Sequence, residues 1–129
     1  MNKWTVAALA SFTLLALTIA IPGAEAELKP HMAGWERYFT VTWETVQSKG
    51  KPVLQGYVVN TSSYDVHSVR ILVDTLNAAG ETTSQRVAWV PGEMMGATRL
   101  FFEVPVQPAP TYRVRVFSYD RLEFDGPFR

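Results

Sequence analysis

The sequence predicts an all-β protein, a small antiparallel β-sandwich preceded by an N-terminal signal helix. Two observations predict the sandwich: apolar and polar residues alternate from Trp35 onward, and turn residues interrupt this alternation roughly every 8–12 positions. A third observation predicts the signal helix: the chain begins with a basic end, an apolar run and small residues. For the strands, the alternative is a small barrel.

The N-terminal segment has the three parts of a secretory signal peptide. Lys3 precedes an apolar run over 5–21, and the small residues Ala24 and Ala26 follow Pro22. The alternative is an uncleaved anchor, because a run of 17 residues lies at the lower limit for crossing a bilayer. The Ala-x-Ala pattern favours cleavage after Ala26. The predicted organisation is a signal peptide over 1–26, a spacer over 27–34, the sandwich over 35–124 and a tail over 125–129.

Composition excludes several classes of function. The chain has 12 basic and 12 acidic residues, so it lacks the basic excess that nucleic-acid binding requires. It has no cysteine, which excludes a disulfide, a thiolate nucleophile, Cys-ligated zinc and acylation at a lipoprotein cysteine. An exported domain without disulfides is held together by packing alone, as is common in bacterial envelope proteins. We therefore expect a periplasmic or extracellular location.

The first half of the domain predicts three strands. Over 37–47, Phe39, Val41 and Trp43 share one face of an alternating run. A Ser-Lys-Gly-Lys-Pro turn leads to the second strand over 53–60. Polar residues then separate this strand from the third, over 66–76.

The second half of the domain predicts three more strands. The fourth, over 82–90, follows an Asn-Ala-Ala-Gly-Glu turn and stops at Pro91. The fifth covers 98–106, and Pro105 places it at a sheet edge or ends it. The sixth covers 111–124. The residues expected to be largely buried are Trp43, Val58, Ile71, Val73, Phe102, Val114 and Val116.

Four short stretches carry a resemblance to a known family. They are Gly56 to Asn60 (GYVVN), Val69 to Glu81 (VRILVDTLNAAGE), Pro91 to Glu93 (PGE) and Tyr112 to Val116 (YRVRV). Over roughly 52–119 the chain resembles the small bacterial immunoglobulin-like domains called FxLYD, and their relative at the end of zinc-ribbon membrane proteins. The resemblance implies an immunoglobulin-like sandwich in a non-enzymatic envelope module, with no catalytic residues to carry over.

The turn residues of these stretches have structural explanations. Asn60 can bond its own turn, and Gly80 supplies a positive φ at a hairpin. Pro91 and Gly92 suit the central positions of a type II turn.

The titratable residues do not form a catalytic or metal-binding pattern. His31 and His67 are too far apart in sequence for the usual zinc spacing. Asp65 and His67 lie near serines, but no Gly-x-Ser-x-Gly elbow is present, and turn capping explains them more simply. The acids Glu44, Glu93 and Glu103 are isolated. We therefore expect no catalytic residue, no metal and no cofactor, and a hydrolase is the least favoured class.

The last strand suggests a protein-binding surface. If Tyr112, Val114 and Val116 face the core, the alternate positions form an outward row of arginine and aromatic residues, the types enriched at interfaces. Alternatively, a bulge after Val116 reverses the phase and buries the aromatic residues. The Met94-Met95 turn could extend the surface, or one methionine could close the end of the sandwich. The predicted surface consists of Arg113, Arg115, Phe117, Tyr119, Met94 and Met95.

These features predict an exported, non-catalytic immunoglobulin-like module that binds a protein or another envelope component. The alternative is a membrane-anchored structural or assembly protein that keeps its N-terminal helix. Membrane contact is expected only in that second case, and no nucleic-acid partner is expected in either.

Overall fold

The structure, a computed structural model, describes residues 27–122, and their regular secondary structure is β except for one short 3-10 turn. One 3-10 turn, Trp35–Arg37, precedes six strands. The strands are β1 (Phe39–Ser48), β2 (Lys51–Asn60), β3 (Val66–Leu76), β4 (Thr82–Trp89), β5 (Arg99–Pro105) and β6 (Thr111–Arg121). The predicted all-β class is confirmed. The predicted signal peptide over 1–26 and tail over 125–129 lie outside the described residues, and no helix within 27–122 is long and apolar enough to cross a membrane.

The strands form two antiparallel sheets of three strands each. The first sheet has the order β1-β2-β5 and the second the order β4-β3-β6. Hairpins join β1 to β2 and β3 to β4, and within 27–122 no strand pairs with both sheets. Two stacked sheets are the arrangement of a sandwich, and the continuous hydrogen bonding of a barrel is not seen in these strands.

A single hydrophobic core lies between the sheets. Leu54, Val58 and Phe102 of the first sheet meet residues of the second sheet in one buried cluster. Val58 and Phe102, which the period-two pattern predicted to be buried, alternate with more exposed residues along β2 and β5. The other core predictions that the structure buries are Ile71, Val73, Val114 and Val116.

Trp43 is the exception, because the prediction that it is buried is wrong. Its side chain is 38 % exposed. From β1, the core cluster includes Phe39 and the partly buried Val41 but not Trp43. The alternation along β1 is correct, but the core does not extend as far as its second half.

Two irregularities shift the pairing of β3 with β6. Ile71 pairs with Val116 but Arg70 pairs with Ser118, so Phe117 is an extra residue on β6. A second shift lies on β3, where Ser68 has a left-handed φ of 55°. Such a bulge reverses the inward and outward alternation of a strand.

Removing a core side chain tests the placement of the core. We expect Ile71→Ala and Val114→Ala each to lower the free energy of unfolding by roughly 1–4 kcal/mol, because both lose apolar contacts and leave a cavity. The measurement is a urea titration monitored by tryptophan fluorescence. Gln47→Ala, at an exposed position of β1, is the control and should change little. Core variants as stable as this control would contradict the packing described above.

Candidate functional site

The surface predicted on the last strand does not form a continuous exposed row. Arg113 and Arg115 face outward, as predicted, and their side chains are partly exposed. Phe117 is only 4 % exposed, and Tyr119 packs against the core with its ring edge-on to Phe39, at 4.7 Å between centroids. The expectation that both aromatic residues are exposed is therefore wrong.

The two aromatic residues are covered for different reasons. The bulge at Phe117 reverses the phase of β6, so that Tyr119 points toward the core. The pKa of the Tyr119 phenol is raised above its ordinary value, first by burial and then by the neighbouring Tyr38, and Arg121 opposes this only in part. Phe117 remains on the outer face, where the His31 ring lies 4.2 Å from it and covers it.

That outer face of the second sheet is built around a buried carboxylate. Asp74 is fully buried, and its Oδ2 accepts a hydrogen bond from Arg113 Nε at 2.8 Å and another from Arg115 Nη2 at 2.7 Å. Its Oδ1 accepts from Gln85 Nε2 at 2.8 Å. Because one carboxylate holds two guanidinium groups, both arginines have a structural role that the sequence pattern alone did not show.

The predicted spacer is packed against this same face. The Leu28 backbone exchanges two hydrogen bonds with the Gln85 side chain, at 2.7 and 3.0 Å. The His31 amide donates to the carbonyl of Phe117 at 2.9 Å. We call residues 27–34 the N-terminal strap. Leu72, on the outer face between Arg70 and Asp74, is fully buried although it lies outside the central core.

An arginine between two aromatic rings completes the outer face. The Arg70 guanidinium lies 5.2 Å from the ring centroids of both Trp89 and Phe117, and its Nε donates to Ser118 Oγ at 2.7 Å. Trp89 is 66 % exposed. Trp89 is thus the accessible aromatic residue of this group, and the Arg70 guanidinium that contacts it is also bonded to Ser118.

The two adjacent methionines have different environments. Met94 is fully buried and forms an isolated bridge with Val66, through backbone hydrogen bonds of 2.8 and 2.9 Å. Met95 is exposed. Met94 therefore belongs to the core, and of the two methionines it is Met95 that is accessible on the surface.

Asn60 organises the loop beside these methionines. Its Nδ2 donates to the carbonyls of Tyr64 and Met95, at 2.6 and 3.3 Å, and its Oδ1 accepts from the amide of Ser62 at 3.0 Å. The prediction that Asn60 bonds its own turn is confirmed. Gly80 and Gly92 have the positive φ values that their turns require, 81° and 108°.

The histidines and acids are not clustered. Asp65 Oδ1 accepts the amide of Gly96 at 3.0 Å, and His67 Nδ1 lies 2.9 Å from Ser68 Oγ. Within residues 27–122, no group of three or more histidine and acidic residues could hold a metal ion.

An open depression on the outer face of the first sheet is the candidate site that sequence reasoning missed. It has a volume of about 380 Å³. We call it the aromatic depression. Its lining residues are Thr42, Trp43, Glu44, Gln55, Gly56, Tyr57 and Phe101.

The side chains of the aromatic depression are held in place by their neighbours. Tyr57 and Phe101 are register partners on β2 and β5, and their rings meet edge to face with centroids 5.6 Å apart. The Arg99 guanidinium lies 4.1 Å from the Tyr57 centroid. Gln55 Nε2 donates to Glu103 Oε2 at 2.6 Å. Phe101 is nevertheless 48 % exposed.

Gly56 brings two backbones together beside the aromatic depression. A Cβ atom at this position would lie 1.8 Å from the Thr42 carbonyl oxygen and 2.8 Å from Trp43 Cα. Only glycine allows β1 to pass this close to β2.

The sequence did contain one signal for the aromatic depression, the pair Phe101-Phe102. Because adjacent residues of a strand face opposite sides, one of these two phenylalanines must point outward.

Comparison with protein-family models, curated proteins and solved structures finds no significant match to the chain.

Proposed function

We propose that the chain is an exported, non-catalytic immunoglobulin-like module that binds a component of the cell envelope through the aromatic depression. The observation that carries this proposal is the depression itself. It combines the exposed Phe101 ring and the adjacent Tyr57 ring with a few polar side chains, which is the chemistry of binding sites in general. The surface first expected on β6 is less suitable, because its aromatic residues are covered and its arginines are held by Asp74.

Two features support the immunoglobulin-like assignment. As in that fold, the first, second and fifth strands share one sheet and the third and sixth share the other, although β4 lies beside β3 and not in the first sheet as the fourth strand of the constant type does. The Tyr112 hydroxyl, at the start of β6, donates to the carbonyl of Gln107 five residues upstream. This bond has the form of the tyrosine corner of immunoglobulin-like domains. The FxLYD resemblance is in keeping with both features.

The mass of the protein recovered from its producing cell tests the export. We expect a soluble chain that begins at Glu27, because Ala24 and Ala26 provide the cleavage pattern. The measurement is intact-mass spectrometry of the soluble and membrane fractions. A full-length chain that sediments with membranes would instead establish the anchored alternative.

Sedimentation with envelope preparations tests the binding face. We expect the protein to sediment with the insoluble envelope of its producing cell, and Phe101→Ala to stay in the supernatant, because the substitution removes an exposed ring without touching the core. The matched control is Trp89→Ala, which removes an exposed ring from the other sheet. Equal behaviour of the two variants, or no sedimentation of the unmodified protein, would contradict the proposal.

A further inference from the structure

We infer that the ligand of the aromatic depression is an uncharged, hydroxyl-rich carbohydrate chain. This inference rests on the proposed function and specifies its ligand. The first reason is the arrangement of the rings. Phe101 is about half exposed and lies beside the Tyr57 ring in the lining of the open depression. A sugar ring presents C–H groups with a positive partial charge on its face, and these stack on the electron-rich face of an aromatic ring.

The second reason is the set of polar groups around the rings. Glu44 lines the depression and makes no hydrogen bond or ion pair with residues 27–122, so its carboxylate is free to accept from a ligand. Glu103 is held in position by Gln55. Carboxylates accept hydrogen bonds from hydroxyl groups and cannot donate when ionised, which suits a ligand that has many hydroxyl donors.

The third reason is charge complementarity. The carboxylate of Glu44 lines the depression, that of Glu103 accepts from the lining residue Gln55, and the nearby cation, Arg99, is stacked on Tyr57. This arrangement repels anionic polymers. It is also unlike the centre of a protein–protein interface, where acidic residues are depleted. A cationic ligand is less favoured because Arg99 already occupies the face of Tyr57.

The fourth reason is shape. The depression lies on an open sheet face and is crossed by three adjacent strands, so a chain can pass through it and need not end there. A polymer satisfies this geometry, and the rigid sheet beneath fixes the ring positions before binding. Preorganisation of this kind limits the entropy lost on association.

Affinity electrophoresis in native gels tests this inference. The purified exported protein is run in gels that contain a soluble neutral polysaccharide, namely β-glucan, xylan, mannan or glycol chitin, or the anionic polygalacturonate. We expect at least one neutral polysaccharide to retard the protein and polygalacturonate to have no effect. Phe101→Ala should weaken the retardation constant about tenfold, because a stacking contact is lost.

Two further variants make the result decisive. Glu44→Gln leaves both rings in place and should weaken binding severalfold, while Trp89→Ala should leave it unchanged. Absence of retardation by all four neutral polysaccharides, retardation by polygalacturonate alone, or equal loss in Phe101→Ala and Trp89→Ala would overturn the inference. If the protein sediments with envelope material, Phe101→Ala does not, and no neutral polysaccharide retards the protein, the proposed function stands and the carbohydrate assignment fails.

Discussion

Gly56→Ala is expected to lower the free energy of unfolding by about 3 kcal/mol or more, at the upper end of what an added methyl group costs in a packed structure. The new Cβ would lie 1.8 Å from the Thr42 carbonyl oxygen, far inside contact distance. The nearest atoms, those of Thr42 and Trp43, belong to the backbone of β1, so no side-chain rotation can relieve the clash. The β1–β2 hairpin must therefore shift or separate. The measurement is the urea midpoint of the purified variant.

Gly80→Ala provides the matched control for this change. Gly80 has a φ of 81°, and nothing lies within 4 Å of a Cβ built there. In the Gly80→Ala variant the free energy of unfolding should therefore fall only by the cost of a left-handed backbone at alanine, about 1–2 kcal/mol. A Gly56 variant no less stable than the Gly80 variant would show that β1 does not approach β2 this closely.

Asp74→Ala is expected to cost about 3 kcal/mol, the lower end of the range for removing one partner of a buried ion pair. The change leaves the guanidinium groups of Arg113 and Arg115 side by side without their shared anion, and leaves Gln85 without its acceptor. Both arginines are partly exposed, so water screens their repulsion and the expected loss stays at that lower end. Thermal unfolding monitored by circular dichroism measures the effect.

Glu103→Ala serves as the control for Asp74→Ala, since it removes an acid from an exposed position. It should change stability by well under 1 kcal/mol. Adding Arg115→Met to the Asp74 variant should restore part of the loss, because one of the two repelling charges is removed. An Asp74 variant as stable as the Glu103 variant would mean that the ion pairs of Asp74 with Arg113 and Arg115 do not stabilise the fold.

The strands could be predicted from sequence because their signals are local. The third strand, over 66–76, has the same bounds in the sequence and in the structure, since polar residues precede it and the Asn77 turn follows it. The core positions Val58 and Phe102 follow from alternation alone. Trp43 has the same inward phase, but its exposure depends on where the core between the two sheets ends, and that is a property of the whole fold.

The binding surface could not be predicted because it depends on contacts between distant segments. Alternation gives the outward phase of Phe117 but cannot show that His31, 86 positions earlier, covers its ring. A bulge near Val116 was one of two alternatives, and choosing between them requires the register against β3. The aromatic depression likewise joins three strands, and only their pairing places Tyr57 beside Phe101.

If the chain is exported as proposed, the N-terminal strap fixes the order of two steps in its maturation. If the leader is removed after Ala26, Glu27 becomes the new amino terminus and is followed directly by Leu28, whose backbone is bonded to Gln85. A leader peptidase needs an accessible, extended stretch on both sides of the bond that it cuts. A docked Leu28 would hold the second residue after that bond against β4. In that case proteolysis must precede docking of the strap, so that the hydrogen bonds of Leu28 to Gln85 form only after the leader has been removed.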